Sequence, residues 1–244
     1  MLIVVFENKA SGQVVGSPSA PYLNELMARS AVYTGFRAET HPSQPNYIAM
    51  FSGSTQGVTS DACPVQLHGT PNLGRQLLDA GRTFGGYSED LPDAGFTGCG
   101  TGRYARKHNP WVDFDNLPAA VNQPADAMPT DYAQLPTVSF LIPDLCHDMH
   151  DCPIGTGDAW AQSHVDPYAR WAKVHNAALI ITFDEDNGSE RNGIMTLVYG
   201  EQTVPGRYAQ PTNHYSMLAT LEDWYGLKRL GQAGGASVLP NAWR

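Results

Sequence analysis

The sequence lacks two features that would point to common binding partners. It has no apolar run near the ~20 residues that a helix needs to cross a bilayer, and it has no run of Lys and Arg. Charged residues make up only 16% of the chain, and the formal net charge is -9. An acidic chain without basic runs is poorly suited to nucleic acids, whose phosphates repel it. We therefore expect neither a transmembrane segment nor a nucleic-acid partner.

Cysteine is also scarce, with four residues in 244. Cys146 and Cys152 are close in sequence, whereas Cys63 and Cys99 flank another loop-rich stretch. An even number of loop cysteines favours two disulfides and an oxidising compartment, with four reduced thiols as the alternative. The chain opens on the apolar segment 1–6 with no basic segment before it. We expect a secreted or periplasmic protein whose signal peptide is absent from this sequence, with the cytoplasm as the alternative.

Hydrophobic residues make up 42% of the chain, which includes 24 Gly and 18 Pro, and this indicates a loop-rich globular domain spanning residues 1–244. Apolar segments predict strands at Leu2–Phe6, Ala31–Phe36, Arg82–Tyr87, Thr137–Ile142, Ala177–Phe183 and Ile194–Tyr199. Intervening segments predict helices at Pro21–Arg29, Pro45–Phe51, Leu73–Ala80, Asp158–Val174 and Ser216–Tyr225. Alternation of fully apolar strands with helices predicts an α/β three-layer sandwich with a mainly parallel central sheet. Residues 104–135 are expected to form a loop excursion beside the site.

Polar side chains follow the apolar segments at several points: Glu7-Asn8, His41–Ser43, Asp144–Asp151, Asp184–Asn187 and Thr212–Tyr215. Ligands of open α/β sheets bind at the carboxyl ends of the strands. Each group taken alone could be a surface turn or a helix cap. Three consecutive acids from residue 184 repel one another unless a cation lies nearby. Together, these groups predict a functional site at one edge of the sheet.

The segment Thr40–Tyr47 reads as a polar loop that turns into a short helix. It sets Ser43 at or just before the helix N-terminus, where free backbone N–H groups and the helix dipole favour an anion such as phosphate. A hydroxyl at this place can act as a nucleophile if its pKa is lowered. Ser43 is therefore the candidate nucleophile.

Five motifs carry a family resemblance: Phe6-Glu7-Asn8, His41–Tyr47, Asp148–Asp151, Thr182–Asp186 and Asn213–Tyr215. With them, nearly the whole chain resembles the phosphoesterase family of bacterial acid phosphatases and phospholipases C, within the alkaline phosphatase superfamily. The resemblance implies an alkaline-phosphatase-like fold with Ser43 as the nucleophile and Thr40 as the alternative. It also implies one divalent metal ion, held by Glu7, Asn8, Ser43, Asp184 and Glu185. Such oxygen ligands suit Mg²⁺, Ca²⁺ or Mn²⁺, and they also accept Zn²⁺.

Two-metal members of the superfamily have Asp-His where this chain has Asp184-Glu185, so the resemblance implies a single metal ion here. His150 and His214 then stand where ligands of a second metal would be, and they are implied to act as charged or proton-donating groups. We assign further substrate contacts to His41, Asn46 and Asp148. Arg103 and Lys107 belong to a basic segment and are candidate phosphate ligands, with a solvated loop as the alternative.

We expect metal-dependent hydrolysis of a small-molecule phosphate ester through a phosphoseryl intermediate. A phosphomonoesterase of the acid phosphatase type is the first hypothesis, and a phosphodiesterase of the phospholipase C type is the second. A non-catalytic extracellular module that binds a metal or an anion is the alternative of another class. A sulfatase ranks lower, because Tyr47 stands where sulfatases carry an Arg. The sequence leaves open the leaving group, the metal and the oligomeric state.

Overall fold

The computed structural model describes residues 1–243. Its strands are β1 Leu2–Phe6, β2 Ala31–Tyr33, β3 Phe36–Arg37, β4 Phe84–Ser88, β5 Gly100–Thr101, β6 Tyr104–Ala105, β7 Asn122–Pro124, β8 Val138–Ile142, β9 Ala178–Phe183, β10 Leu197–Gly200, β11 Gly206–Tyr208 and β12 Thr212–Asn213. Its α-helices are α1 Ser11–Val14, α2 Pro21–Met27, α3 Ser43–Ser52, α4 Leu73–Asp79, α5 Ile154–His164, α6 Asp166–Ala172 and α7 His214–Tyr225.

The central sheet has eight strands in the order β11-β2-β10-β9-β1-β8-β4-β7. All neighbouring strands are parallel except β10, which runs antiparallel to both β9 and β2. The residues of β1, β8 and β9 are buried throughout, because helices cover both faces of the sheet centre. This arrangement confirms the predicted mainly parallel α/β architecture.

The register of the sheet brings the predicted polar segments to one edge. Phe6 of β1 pairs with Phe183 of β9, so the residues that follow them, Glu7 and Asp184, leave the sheet side by side. On the other side of β1, Val4 pairs with Leu141 of β8. The loop after β8 therefore starts from the same edge.

Helix α3 begins at Ser43, two residues before the predicted start. Pro42 is extended and occupies the N-cap position, which fixes the direction in which the chain enters the helix. The helix is buried along its whole length, and Phe51 packs at its end against the aromatic rings of Phe84 and Phe140. It ends at Gly53, whose φ of 73° is the left-handed conformation that suits glycine.

Three predicted segments differ from the structure in the number or the type of their elements. The predicted helix over residues 158–174 is two helices, α5 and α6, because Pro167 in the first turn of α6 has no N–H to continue the ladder. The predicted strand over residues 31–36 is interrupted between β2 and β3. The stretch from 104 to 135 is mostly loop and short 3-10 turns, but it also supplies β7 at the sheet edge.

Both predicted disulfides are present. Cys63 bonds Cys99 and Cys146 bonds Cys152, with Cα–Cα distances of 5.8 and 4.7 Å. The first links the loop after α3 to the loop between β4 and β5, and the second closes the loop after β8. Among residues 1–243, no helix combines the length and the apolar character needed to cross a membrane.

Candidate active site

Ser43 lies at the start of α3 between two carboxylates. Its Oγ is 3.0 Å from Glu7 Oε2 and 3.2 Å from Glu185 Oε1, and the residue is 1% exposed. Two acceptors therefore compete for one hydroxyl proton. Carboxylates so close to Oγ can take up its proton, but their negative charge disfavours an alkoxide unless a cation offsets it.

Glu7, Asp148 and Asp184 are completely buried. Burial, followed by the charge of Asp184 and Asp148, raises the pKa of Glu7 well above its usual value. Burial and the Glu185 charge do the same to the pKa of Asp184, and burial raises the pKa of Asp148 to about 7. Asp184 Oδ2 and Asp148 Oδ2 have no hydrogen-bond donor. Buried acids with unpaired oxygens are the expected surroundings of a cation.

The residues around Ser43 carry oxygen atoms of the kind that divalent metal ions bind. Asn8 adopts a left-handed conformation with φ of 51°, which turns the chain back over the end of β1. Its backbone N–H donates to Asp184 Oδ1 at 3.1 Å, and its Nδ2 donates to Glu7 Oε2 at 3.0 Å. The structure therefore brings together the predicted set of Glu7, Asn8, Ser43, Asp184 and Glu185. These oxygens are hard ligands, as Mg²⁺, Ca²⁺ and Mn²⁺ prefer.

Two predicted histidines contact the acidic end of β9. His41 is half-exposed, and its Nδ1 lies 2.5 Å from Glu185 Oε2. His214 is buried, and its Nε2–H donates to the Asp184 carbonyl at 2.7 Å. Burial lowers the pKa of His214 to about 4, so the ring is neutral. In this structure the His214 ring supports the Asp184 main chain, and its predicted proton-donating role stays a prediction.

Asn46 also differs from its predicted role in substrate binding. Its Oδ1 accepts the N–H groups of Glu39 and Thr40, both at 3.0 Å. Its Nδ2 donates to the carbonyls of Thr40 and Pro42 at 2.8 and 3.1 Å. The side chain is buried and already bonded at both ends, so it holds the loop that leads into α3.

The two predicted phosphate ligands of the basic segment, Arg103 and Lys107, lie in different surroundings. Lys107 Nζ donates to Asp61 Oδ2 at 2.8 Å, and Asp61 Oδ1 accepts the backbone N–H of Gln44 at 2.9 Å. Lys107 therefore lies beside the start of α3, as its predicted role requires. Arg103 lies in the exposed turn between β5 and β6, where its backbone N–H donates to Asp90. No contact in the described residues links the Arg103 side chain to the Ser43 cluster.

His150 and Asp148 approach the cluster from the loop after β8. The His150 backbone N–H donates to Asp148 Oδ1 at 2.7 Å, and the ring Nδ1 lies 2.6 Å from Asp151 Oδ1. Its ring centroid is 6.2 Å from that of His108. His150 is thus a partly exposed imidazole close to the buried Asp148.

The sequence profile of the Phosphoesterase family matches residues 15–228, which is most of the chain. The chain belongs to that family. It is therefore an enzyme that hydrolyses phosphate esters, as the sequence motifs predict.

Named relatives of this phosphoesterase are phosphatases. It is 48% identical over 245 residues to a phosphatidylinositol-3-phosphatase of Mycobacterium tuberculosis, and the match covers all of this chain and 82% of that protein. It is 31% identical over 237 residues to an acid phosphatase of Aspergillus fumigatus. That match covers 88% of this chain and 53% of the fungal enzyme, so the chain spans about half of that relative.

Solved structures confirm the fold of this phosphoesterase. A Vibrio parahaemolyticus protein of the alkaline phosphatase superfamily aligns with a TM-score of 0.67 at 15% identity, over 96% of this chain and 68% of that one. The lipoteichoic acid synthase LtaP of Listeria monocytogenes aligns with a TM-score of 0.66 at 11% identity, over 99% and 75% of the two chains. At these identities the likeness concerns the fold alone.

Two residues of this phosphoesterase site were missed by sequence reasoning. Tyr47 donates its hydroxyl to Glu7 Oε1 at 2.6 Å, and burial raises its pKa so that the proton stays on the oxygen. The His108 ring stacks on Tyr47 and lies 3.2 Å from Glu7 Oε1 and 3.4 Å from Asp148 Oδ2. Tyr47 is one turn after Ser43, a spacing that places both on one helix face. His108 comes from an irregular segment, where no periodicity marks it.

A separate group of Glu89, Asp144 and His147 fixes the loop after β8 in this phosphoesterase. His147 Nδ1 lies 2.9 Å from Glu89 Oε2, and Asp144 Oδ1 accepts the backbone N–H groups of Cys146 and His147, both at 2.8 Å. The Cys146–Cys152 disulfide closes the same loop. The loop that carries Asp148 and His150 is therefore held from two sides.

Proposed function

We propose that this enzyme is a metal-dependent phosphomonoesterase that uses Ser43 as its nucleophile. The observation that carries the proposal is the place of Ser43 Oγ, within 3.0 and 3.2 Å of two buried carboxylates at the start of a ten-residue helix. The helix N-terminus favours the negative charge of a phosphoryl group. The carboxylates require a cation that neutralises them.

Glu7, Asn8, Ser43, Asp184 and Glu185 would hold the metal ion. When bound, such an ion supplies the positive charge that lowers the pKa of a coordinated hydroxyl. Around these ligands, Tyr47 donates to Glu7 and the neutral His214 ring holds the Asp184 main chain. Both contacts orient oxygens that would otherwise repel one another, and such supporting contacts tune the affinity of a metal site.

The reaction we propose has two steps. Ser43 Oγ loses its proton to a neighbouring carboxylate and attacks phosphorus, while the bond from phosphorus to the leaving oxygen breaks. Backbone N–H groups at the start of α3 stabilise the negative charge of the phosphoryl oxygens. His150 donates a proton to the leaving oxygen. Water then attacks the phosphoserine, which releases phosphate and restores the hydroxyl.

The proposed substrate is a phosphomonoester. The Mycobacterium tuberculosis relative, which aligns over this whole chain, is named for removing the 3-phosphate of phosphatidylinositol 3-phosphate, and the fungal relatives are named acid phosphatases. We therefore infer that a phosphate carried by an inositol ring is within the substrate range. A diester of the phospholipase C type is the second candidate. The two disulfides favour function in a secreted or periplasmic location.

The test compares Ser43→Ala with Ser52→Ala, a buried serine of the same helix whose hydroxyl bonds the Ile48 carbonyl. Turnover of p-nitrophenyl phosphate is measured after chelation and after each divalent metal is restored. We expect Ser43→Ala to lose about 10³-fold or more of kcat, while Ser52→Ala stays within a few-fold of the native enzyme. Full activity in Ser43→Ala, or activity that survives chelation, would exclude the proposal.

The substrate class is tested with three further esters under the metal that restores turnover. They are phosphatidylinositol 3-phosphate in vesicles, inositol 3-phosphate and p-nitrophenyl phosphorylcholine. Release of inorganic phosphate from the first two supports the monoesterase. Faster turnover of the phosphorylcholine ester would favour the phospholipase C alternative.

A further inference from the structure

The carboxylate of Asp61 occupies the start of α3 beside the nucleophile. Asp61 Oδ1 accepts the backbone N–H of Gln44 at 2.9 Å, and its Oδ2 accepts Lys107 Nζ at 2.8 Å. Gln44 directly follows Ser43 in the first turn of the helix. One carboxylate thus holds both a backbone donor in the first turn of α3 and the ammonium group of Lys107.

These two donors are also the groups that a phosphoryl oxygen would use at this place. Carboxylate and phosphate oxygens accept the same charge-assisted hydrogen bonds, and both are favoured at a helix N-terminus. Asp61 is also close enough to Glu185 for their charges to interact. A phosphoryl group that reached Ser43 would therefore compete with the Asp61 carboxylate for the same two hydrogen-bond donors.

Asp61 lies outside the helices and is partly exposed. It lies in the irregular chain between α3 and α4, and 29% of its side chain is exposed. Its neighbour two residues later, Cys63, is bonded to Cys99, so the loop is anchored beyond Asp61. The segment between α3 and this anchor is the part of the chain that would have to move for the carboxylate to turn into solvent.

Resting on the proposed function of Ser43, we propose that Asp61 competes with the phosphoryl group of the substrate for the Gln44 N–H and Lys107. This competition selects for phosphomonoesters. Substrate binding exchanges one anion for another: Asp61 leaves, and the phosphoryl oxygens take over Gln44 N–H and Lys107. A monoester brings up to two negative charges to this exchange, whereas a diester brings one. The dianion therefore displaces Asp61 more readily, because Coulomb attraction to Lys107 grows with the ligand's charge.

The test measures the binding of inorganic phosphate to the metal-loaded full chain by calorimetry. Asp61→Asn removes the charge and Asp61→Ala removes the group. We expect both to bind phosphate more tightly, on the order of tenfold, since the internal competitor is weakened or lost. Asp115→Asn is the matched control, because Asp115 also accepts a backbone N–H and a basic side chain, from Gly69 and His68, on an exposed loop.

A second measurement shows whether phosphate replaces Asp61 at the Gln44 N–H. The amide resonance of Gln44 should shift when phosphate is added, and it should saturate at lower phosphate concentration in Asp61→Asn than in the native chain. The ratio of KM for p-nitrophenyl phosphorylcholine to KM for p-nitrophenyl phosphate should also fall in this variant. Neither quantity should change in Asp115→Asn.

The outcomes separate this inference from the proposed function. Weaker or unchanged phosphate binding in both Asp61 variants, with turnover that still depends on Ser43, overturns the competition and leaves the nucleophile in place. An unmoved Gln44 amide during turnover has the same meaning. Turnover that is independent of Ser43 overturns the proposed function and removes the basis of the competition with it.

Discussion

Asn46 is a polar residue in the first turn of α3, and its side chain binds the backbone of the loop that leads into this helix. Its four hydrogen bonds hold the chain from Glu39 to Pro42, which delivers Ser43 to the carboxylates. Asn46→Ala leaves these backbone groups without partners, so we expect the free energy of unfolding to fall by about 2–4 kcal/mol. Urea denaturation measures the loss.

Asn46→Asp serves as the intermediate variant, because it keeps the two accepting contacts and loses the two donated ones. The expected order of stability is native, then Asn46→Asp, then Asn46→Ala. A higher KM with unchanged stability would instead return Asn46 to the substrate-binding role that the sequence indicates.

The sequence identifies the residues whose position follows from a local rule. Ser43 begins a helix, and Glu7 and Asp184 directly follow strands. The known preference of ligands for helix starts and for the carboxyl ends of strands is therefore enough to find them. His108 and Asp61 reach the site from irregular segments, where only tertiary packing fixes their place. His214 satisfies the helix-start pattern, but the sequence could not show that its Nε2 is bound to a carbonyl.

At the scale of elements, α3 depends on the glycine that ends it. A Cβ on Gly53 would lie 2.3 Å from the Leu230 carbonyl oxygen, and φ there is +73°. Gly226 ends α7 with φ of +66°, but nothing lies within 4 Å of its Cβ position. Gly226→Ala should therefore cost about 1 kcal/mol from backbone strain alone. Gly53→Ala should cost about 2–4 kcal/mol, since the clash is added.

Thermal unfolding measures the loss of stability in Gly53→Ala and in Gly226→Ala. Equal losses would mean that the chain around Leu230 yields to the added methyl group. Gly53→Ala should also lower kcat, because α3 carries Ser43 at its other end, whereas Gly226→Ala should leave kcat unchanged.

Helix α7 contains a carboxyl group whose ionisation opposes folding. Burial raises the pKa of Glu222 from 4.5 to about 7, although its Oε1 accepts the Leu230 N–H at 2.8 Å. The folded state binds this proton more tightly than the unfolded state. The stabilising contribution is therefore fully present below pH 4.5 and is lost as pH rises through 7.

Glu222→Gln keeps the accepting oxygen and removes the titration. Relative to this variant, the native chain should lose about 1 kcal/mol of stability between pH 5 and 8, a figure that allows for screening by Arg229. Urea denaturation at both pH values measures it. Asp223→Asn is the control, because the Arg229 hydrogen bond lowers the pKa of Asp223 and places its titration outside this window. Parallel pH profiles for the native and Glu222→Gln chains would contradict the prediction.

The predicted elements agree best where hydrophobic pattern and burial coincide. β1, β8 and β9 are mostly apolar and buried throughout at the sheet centre, and their predicted bounds differ from the observed ones by at most one residue. Short edge strands such as β7 and β11 gain their geometry from a neighbour, and their sequences carry little pattern of their own.

At the scale of the whole molecule, the two disulfides have different tasks. Cys63–Cys99 spans 36 residues and Cys146–Cys152 spans six. Loop-closure entropy gives the first about 4 kcal/mol of stabilisation and the second about 2 kcal/mol. We expect the Cys63→Ser/Cys99→Ser protein to lose more stability. The Cys146→Ser/Cys152→Ser protein should lose more of its kcat, because the short loop carries His150.

Denaturation and turnover of p-nitrophenyl phosphate are measured on both double variants. A greater loss of kcat in the Cys63→Ser/Cys99→Ser protein would show that the loop containing Asp61 matters more to turnover than the loop containing His150. Reduction of both disulfides in the native chain should lower both the stability and kcat.

The place of β1 in the middle of the sheet has a consequence for the order in which the enzyme becomes active. Leu2 pairs with Ser139 on one side and with Leu179 on the other. Both partners of the first strand are therefore far from it in sequence. Pairing of strands so remote in sequence requires closure of long loops, which costs entropy and slows folding. A growing chain that already contains Glu7 and Ser43 still lacks Asp184 until β9 has been synthesised. By the proposed mechanism, the chain can therefore hydrolyse phosphate esters only after the residue that follows β9 has been added.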